Sequence, residues 1–411
     1  MNSKTNRLKY ACYSTNVTMS AVGNLSPVLF ITFRALYGIS YSLLGLLVLI
    51  NFCTQLLVDL IFSFFSHKFN IPKTLKAIPW IALTGFLIYS LWPFLLPDHV
   101  YVGLVIGTIV FSASSGLSEV LISPTIAAIP SDDPDREMSK LHSIYAWGVF
   151  FVIVISTLFL LFVGNKNWQW LALAFGIIPL ISAFLFLGSE IPPMDTPKHT
   201  SGALKLLKNK GVWLSVFAIF LGGAAECTMA QWSSGYLEQA LGIPKVWGDL
   251  FGTALFAVML GLGRSLYAKF GRNIEKILTL GAIGATVCYF TVAVSNIPWI
   301  GLIACAFTGF CVSMLWPGNL VVASDRFPQG GVFIYAIMAS GGDLGASIAP
   351  QLVGIITDIA IANPAASTFA SKLALSPEQF GMKLGMLCGM IFPLIGILVY
   401  SYIWKNRKKK D

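Results

Sequence analysis

Long apolar runs separated by short polar gaps follow one another along the whole chain. Each run is long enough for an α-helix to cross a bilayer, which takes about 20 mostly apolar residues. Apolar and polar residues do not alternate with a period of two, so an outer-membrane barrel is not expected. The pattern predicts an all-α membrane protein with twelve transmembrane helices, at residues 10–33, 39–65, 78–96, 100–127, 141–164, 167–188, 211–236, 246–268, 277–295, 298–322, 331–357 and 379–404.

The longest polar stretch lies at the centre of the chain and predicts a division into two halves. Residues 190–210 contain three prolines and mixed charge, which is typical of a linker. We therefore expect two pseudo-symmetric six-helix bundles, 1–189 and 211–411, joined by this linker. A motif of the form P-x6-S-D supports the repeat, because it occurs at 124–132 and again at 317–325. Halves repeated in one orientation predict a substrate site between them and alternating access by rocking.

Charge is scarce and unevenly distributed. Charged residues make up 11% of the chain, against roughly 25% in soluble domains. If both termini are cytoplasmic, 21 of the 27 basic residues lie on the cytoplasmic side and 5 on the other side, which is the bias expected of the cytoplasmic (inner) membrane. The net charge of +9 then indicates attraction to anionic lipid headgroups, and we expect no nucleic-acid partner.

Three acidic residues lie well inside predicted helices: Glu119, Glu226 and Asp343. A charge at a helix centre costs about 2.5–3.5 kcal/mol on insertion scales, so an acid in this position is a candidate for a substrate or ion site. The alternative is a buried acid bonded to a neighbouring helix. We predict that Glu119 is the principal coupling acid and that Glu226 is a second polar anchor for the substrate.

Other polar and aromatic side chains in the helices add further candidates. Asn51 and Gln55 share one face of helix 2, where they either line a pore or form hydrogen bonds between helices. Asn319 presents the same choice. Trp147 and Trp232 lie deep in their helices and either stack against the apolar face of a sugar or pack in the core.

One segment after helix 8 resembles the loop signature of the major facilitator superfamily. It runs Gly263-Arg264-Ser-Leu-Tyr-Ala-Lys-Phe-Gly271-Arg272. The first-half copy is degraded: Asp59 and Lys68 are similar to the signature, but Asn70 stands where a glycine is usual. The resemblance implies the twelve-helix major facilitator fold and a gating-loop role for Asp59, Lys68, Gly263, Arg264, Gly271 and Arg272.

Three further segments are similar to the fucose:proton symporter branch of that superfamily. They contain Glu119 in helix 4, Glu226, Gln231 and Trp232 in helix 7, and Asp343 in helix 11. The likeness implies a sugar substrate and proton or sodium coupling through these residues. The chain departs from the branch in helix 1, which lacks the proton-linked acid and offers Asn16 and Asn24 instead.

The sequence argues against several other classes of protein. It contains no P-loop, and it has no cluster of nucleophiles or metal ligands that would indicate an enzyme or a cofactor site. We therefore predict a monomeric secondary active transporter that binds a small solute in the lipid bilayer. The alternatives left open are an exporter of drugs or metabolites and a non-transporting membrane sensor.

Overall fold

The computed structural model describes residues 3–65, 68–130, 134–192, 206–327 and 331–406. Within these ranges the chain is helical and contains no strand. Twelve helices in this part of the chain are long and apolar enough to cross a membrane. The prediction of an all-α membrane protein with twelve spans is confirmed. Most of the predicted linker, residues 193–205, lies outside the described residues, as do Ser131 and Asp132 of the repeated motif.

The helices of the first half are α1 (Ser3–Tyr37), α2 (Tyr41–Phe65), α3 (Ile71–Leu95), α4 (Val100–Ala128), α5 (Pro134–Val163), α6 (Trp168–Phe175) and α7 (Ile177–Leu187). The helices of the second half are α8 (Lys210–Leu241), α9 (Leu255–Phe270), α10 (Ile274–Val294), α11 (Pro298–Val312), α12 (Pro317–Arg326), α13 (Gly331–Ala362), α14 (Pro364–Lys372) and α15 (Pro377–Lys405). A π-helical segment, Gly248–Ala254, leads into α9. The apolar pattern does not predict α14, which is too short to span a bilayer.

Local sequence signals account for where several helices begin and end. Asn70 and Asn273 cap α3 and α10, and each side chain accepts a hydrogen bond from the backbone N–H three residues later. Ser376 and Gln379 form a capping box at the start of α15. Gly242 ends α8 in the left-handed conformation, with φ of 67°, which favours glycine.

Asn70 corrects the alignment of the first-half loop signature. The segments Asn70-Ile-Pro-Lys and Asn273-Ile-Glu-Lys occupy equivalent cap positions. Asn70 is therefore the counterpart of Asn273. The sequence comparison had instead aligned Asn70 with Gly271. A short polar side chain is required here because the first turn of a helix leaves backbone N–H groups without partners.

Contacts divide the chain into two compact units. The first unit comprises Met1–Thr32 and Ile50–Thr200, and the second comprises Phe33–Leu49 and Ser201–Asp411. The end of α1 and the start of α2 therefore belong with the second unit, although they precede the linker in the chain. The predicted division into bundles 1–189 and 211–411 stays a prediction.

Glycines allow the helices of each unit to approach closely. In the first unit, a methyl group on Gly107 would lie 2.7 Å from Cβ of Tyr89, so α3 and α4 meet at this point. In the second unit, a methyl group on Gly345 would lie 2.1 Å from the carbonyl oxygen of Phe220, where α13 meets α8. Such close approach is typical of helices packed within a membrane, where van der Waals contact drives association.

Candidate functional site

Two carboxylates of the first unit, Asp59 on α2 and Glu119 on α4, form a pair. An oxygen of one lies within 4.8 Å of an oxygen of the other. The Asp59 side chain is buried, with 4% of the residue exposed, and its Oδ1 atom has no hydrogen-bond partner among the described residues. Glu119 is exposed. The pair thus combines a buried oxygen, which lacks a donor among the described residues, with a second carboxylate on an exposed residue.

The backbone brings α2 and α4 together at this pair. Gly116 lies one helical turn before Glu119, and a methyl group on it would lie 3.0 Å from both Asp59 Oδ1 and the carbonyl oxygen of Gln55. Asp59 is therefore a member of the helix-packing interface of the first unit. Asp59 lies within α2, six residues before Phe65, where the helix ends, and its predicted gating role stays a prediction.

The polar face of α2 continues from Asp59 towards its start. Asn51 Oδ1 accepts a 2.5 Å hydrogen bond from the Ser112 hydroxyl on α4. The Gln55 amide donates to the carbonyl oxygen of Asn51 at 3.5 Å, within its own helix. The sequence left two roles open for Asn51, lining a pore or bonding to another helix, and the described contact is a bond to another helix. The described hydrogen bond of Gln55 lies within its own helix.

In the second unit, Glu226 on α8 has a basic partner on α9. Arg264 Nη2 lies 3.2 Å from Glu226 Oε1, and Arg264 Nε donates to the carbonyl oxygen of Ser313 at 3.1 Å. The other Glu226 oxygen, Oε2, is buried and has no hydrogen-bond partner in the described chain. Arg264 lies within α9, where its guanidinium group joins α8, α9 and the end of α11. Its predicted gating role stays a prediction.

The remaining members of the predicted gating loops are Gly263, Gly271, Lys68 and Arg272. Gly263 lies inside α9, and a methyl group on it would lie 2.3 Å from the Ser313 hydroxyl. Gly271 ends α9. Lys68 and Arg272 are exposed, and the Lys68 amino group lies 5.1 Å from the ring centroid of Phe65.

The other predicted substrate residues fall into buried and accessible groups. Trp232 is 1% exposed, and its indole N–H donates to the carbonyl oxygen of Pro350, so the described contacts give it a packing role. Asn319, 2% exposed, donates to the carbonyl oxygen of Leu315 at 2.6 Å. Gln231 and Asp343 are also buried.

Asn24 and Trp147 remain more accessible. Asn24 is half-buried and donates to the carbonyl oxygen of Ser20 at 2.9 Å. Trp147 is 59% exposed and packs against Phe150 and Phe151. Of Trp147 and Trp232, the two predicted stacking residues, Trp147 is the exposed one.

Two acids of the second unit, the buried Asp249 and the half-buried Asp358, were missed by the sequence reasoning. Asp249 forms a 3.2 Å salt bridge with Lys245, four residues earlier, and accepts a hydrogen bond from Ser234. Asp358 binds backbone N–H groups at the start of α2. The i,i+4 spacing of Lys245 and Asp249 was a usable signal for the first. No local signal marks Asp358, because its partners lie more than 300 residues away in the chain.

A model of the Major Facilitator Superfamily matches residues 11–350. The chain belongs to this superfamily. Membership confirms the resemblance found in the loop signature, and with it the twelve-helix fold. The chain is accordingly a multi-pass membrane transporter of solutes, and not an enzyme. No curated protein sequence is a significant match to the chain.

Solved structures of the same fold transport chemically different solutes. A bacterial homologue of the lysosomal transporter Spinster is 12% identical over 100% of both chains, with a TM-score of 0.73. A D-xylose–proton symporter is 16% identical over 98% of this chain and 97% of its own, and its TM-score is also 0.73. The fucose:proton symporter of E. coli is 14% identical over 94% of this chain and 98% of its own, with a TM-score of 0.58. Nucleoside and peptide transporters are similar too. At these identities the likeness shows the fold alone.

Proposed function

We propose that this transporter moves a small polar solute, a sugar, by cation-coupled alternating access, and that the Asp59–Glu119 pair binds the coupling cation. The observation that carries the proposal is the pair itself: two carboxylates within 4.8 Å, one of them buried. No salt bridge from a basic side chain reaches either carboxylate in the described parts of the chain. The coupling cation is a proton or a sodium ion.

Electrostatics explains why such a pair favours a bound cation. Two negative charges at this separation repel each other strongly when one of them is desolvated. A single proton shared by the pair, or a sodium ion between the oxygens, removes that repulsion. Because Glu119 is exposed and Asp59 is buried, Glu119 provides the route by which the cation enters and leaves.

The pair also accounts for the departure of helix 1 from the fucose symporter branch. Within α1, the membrane-spanning residues contain no acid. Asp59 on α2 supplies the second carboxylate that α1 lacks, with an oxygen within 4.8 Å of a Glu119 oxygen. Glu226 has Arg264 as its partner, and we assign it to solute binding rather than to cation coupling.

The sugar assignment rests on the sequence resemblance and on two side chains. The exposed Trp147 ring offers a flat apolar surface, and Glu226 Oε2 is a buried acceptor that has no partner among the described residues. Sugars combine apolar C–H faces with hydroxyl groups, so both features fit.

The test is uptake of labelled hexoses into proteoliposomes under an imposed proton or sodium gradient. We expect Glu119→Gln to lose accumulation against a concentration gradient while exchange of labelled for unlabelled hexose continues, because glutamine keeps the shape but cannot bind or release the cation. Glu190→Gln, an exposed acid outside the spans, serves as the matched control. Accumulation by Glu119→Gln at the parent level would refute the coupling assignment.

We further propose that both termini and the linker face the cytoplasm, in the cytoplasmic membrane. The distribution of basic residues supports this orientation. A cysteine introduced at Thr200 should not react with a membrane-impermeant thiol reagent added to intact cells. Labelling from outside would show that the linker faces away from the cytoplasm and would refute this orientation.

A further inference from the structure

An apolar groove lies on the surface of the first unit, between α3 on one side and α6 and α7 on the other. Its volume is about 550 Å³, within the range of roughly 300–1,000 Å³ that small-ligand pockets occupy. Both walls belong to membrane spans, Ile71–Leu95 and Asn165–Leu187. The larger side chains that line it are Leu83, Leu87, Trp170, Leu173, Ile177 and Leu180. A groove of this composition within two spans faces hydrocarbon and not water.

The groove results from small residues and from a break in the sixth span. The helix α6 ends at Phe175 and α7 begins at Ile177, with Gly176 between them. Pro179 has no backbone N–H to donate to the carbonyl oxygen of Phe175, so the helix is interrupted in the preceding turn. Ala174, which is exposed, and Gly176 also line the groove and contribute little side-chain volume. Small residues between larger neighbours leave a depression here.

The groove has the length of the hydrocarbon layer of one leaflet. Trp170 and Leu180 are ten residues apart, which corresponds to about 15 Å along the helix axis. The hydrocarbon core of a bilayer is about 30 Å thick, so each leaflet contributes about 15 Å. A single acyl chain in the groove would therefore reach from the membrane interface to the middle of the bilayer.

The end of the groove at Trp170 has the features of a headgroup site. Trp170 is 55% exposed and its ring lies 6.0 Å from that of Phe94; an exposed indole at a span end is typical of the membrane interface. Lys166 lies four residues earlier, in the exposed turn that precedes α6. Among the described residues Lys166 forms no salt bridge, so its amino group can bind the phosphate of a lipid.

We propose that this groove binds one anionic phospholipid, with an acyl chain between α3 and α7 and the phosphate on the amino group of Lys166. The lipid belongs to the leaflet opposite the N-terminus, because five spans precede Lys166. A lysine favours an anionic headgroup such as phosphatidylglycerol over a zwitterionic one, whose own cation competes for the phosphate. The proposal requires neither the solute nor the coupling cation of the proposed function.

The first test measures lipid binding to the full chain in detergent by native mass spectrometry. We expect one dioleoyl phosphatidylglycerol to bind the parent protein more tightly than dioleoyl phosphatidylethanolamine does. Lys166→Gln should weaken this binding about fivefold, the effect of one basic side chain near anionic lipid. Lys372→Gln, which changes an exposed lysine of the second unit, should not weaken it. Equal binding of the two lipids by the parent, or equal losses in the two variants, would overturn the proposal.

The second test fills the groove. Ala174→Phe places a ring in the depression and should lower the affinity for phosphatidylglycerol at least as much as Lys166→Gln does. Ala77→Phe is the matched control, because Ala77 is an exposed alanine of α3 that does not line the groove. Unchanged lipid binding by Ala174→Phe would overturn the proposal. Loss of a parent dimer in Ala174→Phe, with no loss of lipid, would assign the groove to contact between two copies and would also overturn it.

The third test locates the acyl chain with a phosphatidylglycerol that carries a photoreactive diazirine in that chain. After irradiation and proteolysis, we expect adducts to be concentrated at residues 83–87 and 173–180, and to be lost from these residues in Ala174→Phe. Adducts spread evenly over the exposed faces of the other spans would show that the groove holds lipid no more specifically than the rest of the surface, and would overturn the proposal.

Discussion

The two units stabilise carboxylates within their helices in different ways. In the first unit, Asp59 and Glu119 lie within 4.8 Å of each other with no basic side chain bonded to them among the described residues. In the second unit, Glu226 lies 3.2 Å from the guanidinium group of Arg264. An acid with an internal cation is neutralised permanently, whereas a pair of acids needs a cation from solution. This difference is why we propose cation coupling at the Asp59–Glu119 pair and solute binding at Glu226.

The largest expected effect comes from removing the second member of the acid pair. Asp59→Asn should abolish accumulation of solute against a gradient, as Glu119→Gln should, because one remaining carboxylate loses the repulsion that favours a bound cation. The measurement is gradient-driven uptake into proteoliposomes. Glu226→Gln should instead keep gradient coupling and weaken solute binding by roughly 1–3 kcal/mol, the value of a charged hydrogen bond. Loss of coupling in Glu226→Gln with normal coupling in Asp59→Asn would show that Glu226, and not the acid pair, couples the cation.

A smaller effect is expected when the ion pair of the second unit is broken. Arg264→Met should destabilise the protein by about 1–3 kcal/mol, because it leaves Glu226 buried without its cation. The estimate is kept low because 40% of the Arg264 side chain is exposed. Thermal unfolding in detergent measures the change. In Arg264→Met/Glu226→Gln, the loss should be smaller than in Arg264→Met alone; equal losses would show that the ion pair contributes nothing.

Glycine substitutions compare helix packing in the two units. A methyl group on Gly309 would lie 2.2 Å from the carbonyl oxygen of Phe256, whereas one on Gly116 would be 3.0 Å from its nearest neighbours. Gly309→Ala must therefore shift backbone and should cost about 1–3 kcal/mol, a typical cost of overpacking, while Gly116→Ala should cost less. The midpoint of thermal unfolding should therefore decrease more in Gly309→Ala than in Gly116→Ala. Gly261, which has nothing within 4 Å of an added methyl group, provides the control as Gly261→Ala.

The smallest effect concerns a carboxylate of the first unit that has basic partners. Glu137 precedes the fifth span, and hydrogen bonds from Tyr13 and Lys140, with a further contribution from Lys9, lower its pKa from 4.5 to about 2. A lowered folded-state pKa contributes stability above pH 4.5, and this contribution is lost as the pH falls towards 2.

The check is the difference in unfolding midpoint between the parent and Glu137→Gln, measured from pH 6 to pH 3. The difference should be largest at pH 6 and shrink as the pH falls below 4.5, because protonation removes the charge from the parent as well. A difference that does not change with pH would show that the partners of Glu137 do not favour its ionised form.

Much of this protein was predictable from local sequence. The bilayer imposes a span of about 20 apolar residues on each helix and excludes unpaired backbone groups, so the number of spans follows from the apolar runs alone. The same cost of burying charge marked Glu119 and Glu226 as candidates before any contact was known. Family membership followed from the short segment that contains Arg264 and Gly271.

The partners of these residues depended on the tertiary structure. Whether Asp59 faces a loop or faces Glu119 depends on how α2 and α4 rotate and approach at Gly116, and a local pattern does not contain that rotation. Arg264 meets Glu226 across 38 positions of the chain, and Asp358 meets Tyr41 across 317. The apolar pattern determined which segments cross the membrane, because each helix satisfies its own backbone. Only packing between helices decided that Glu226 lies beside Arg264 and that Asp59 lies beside Glu119.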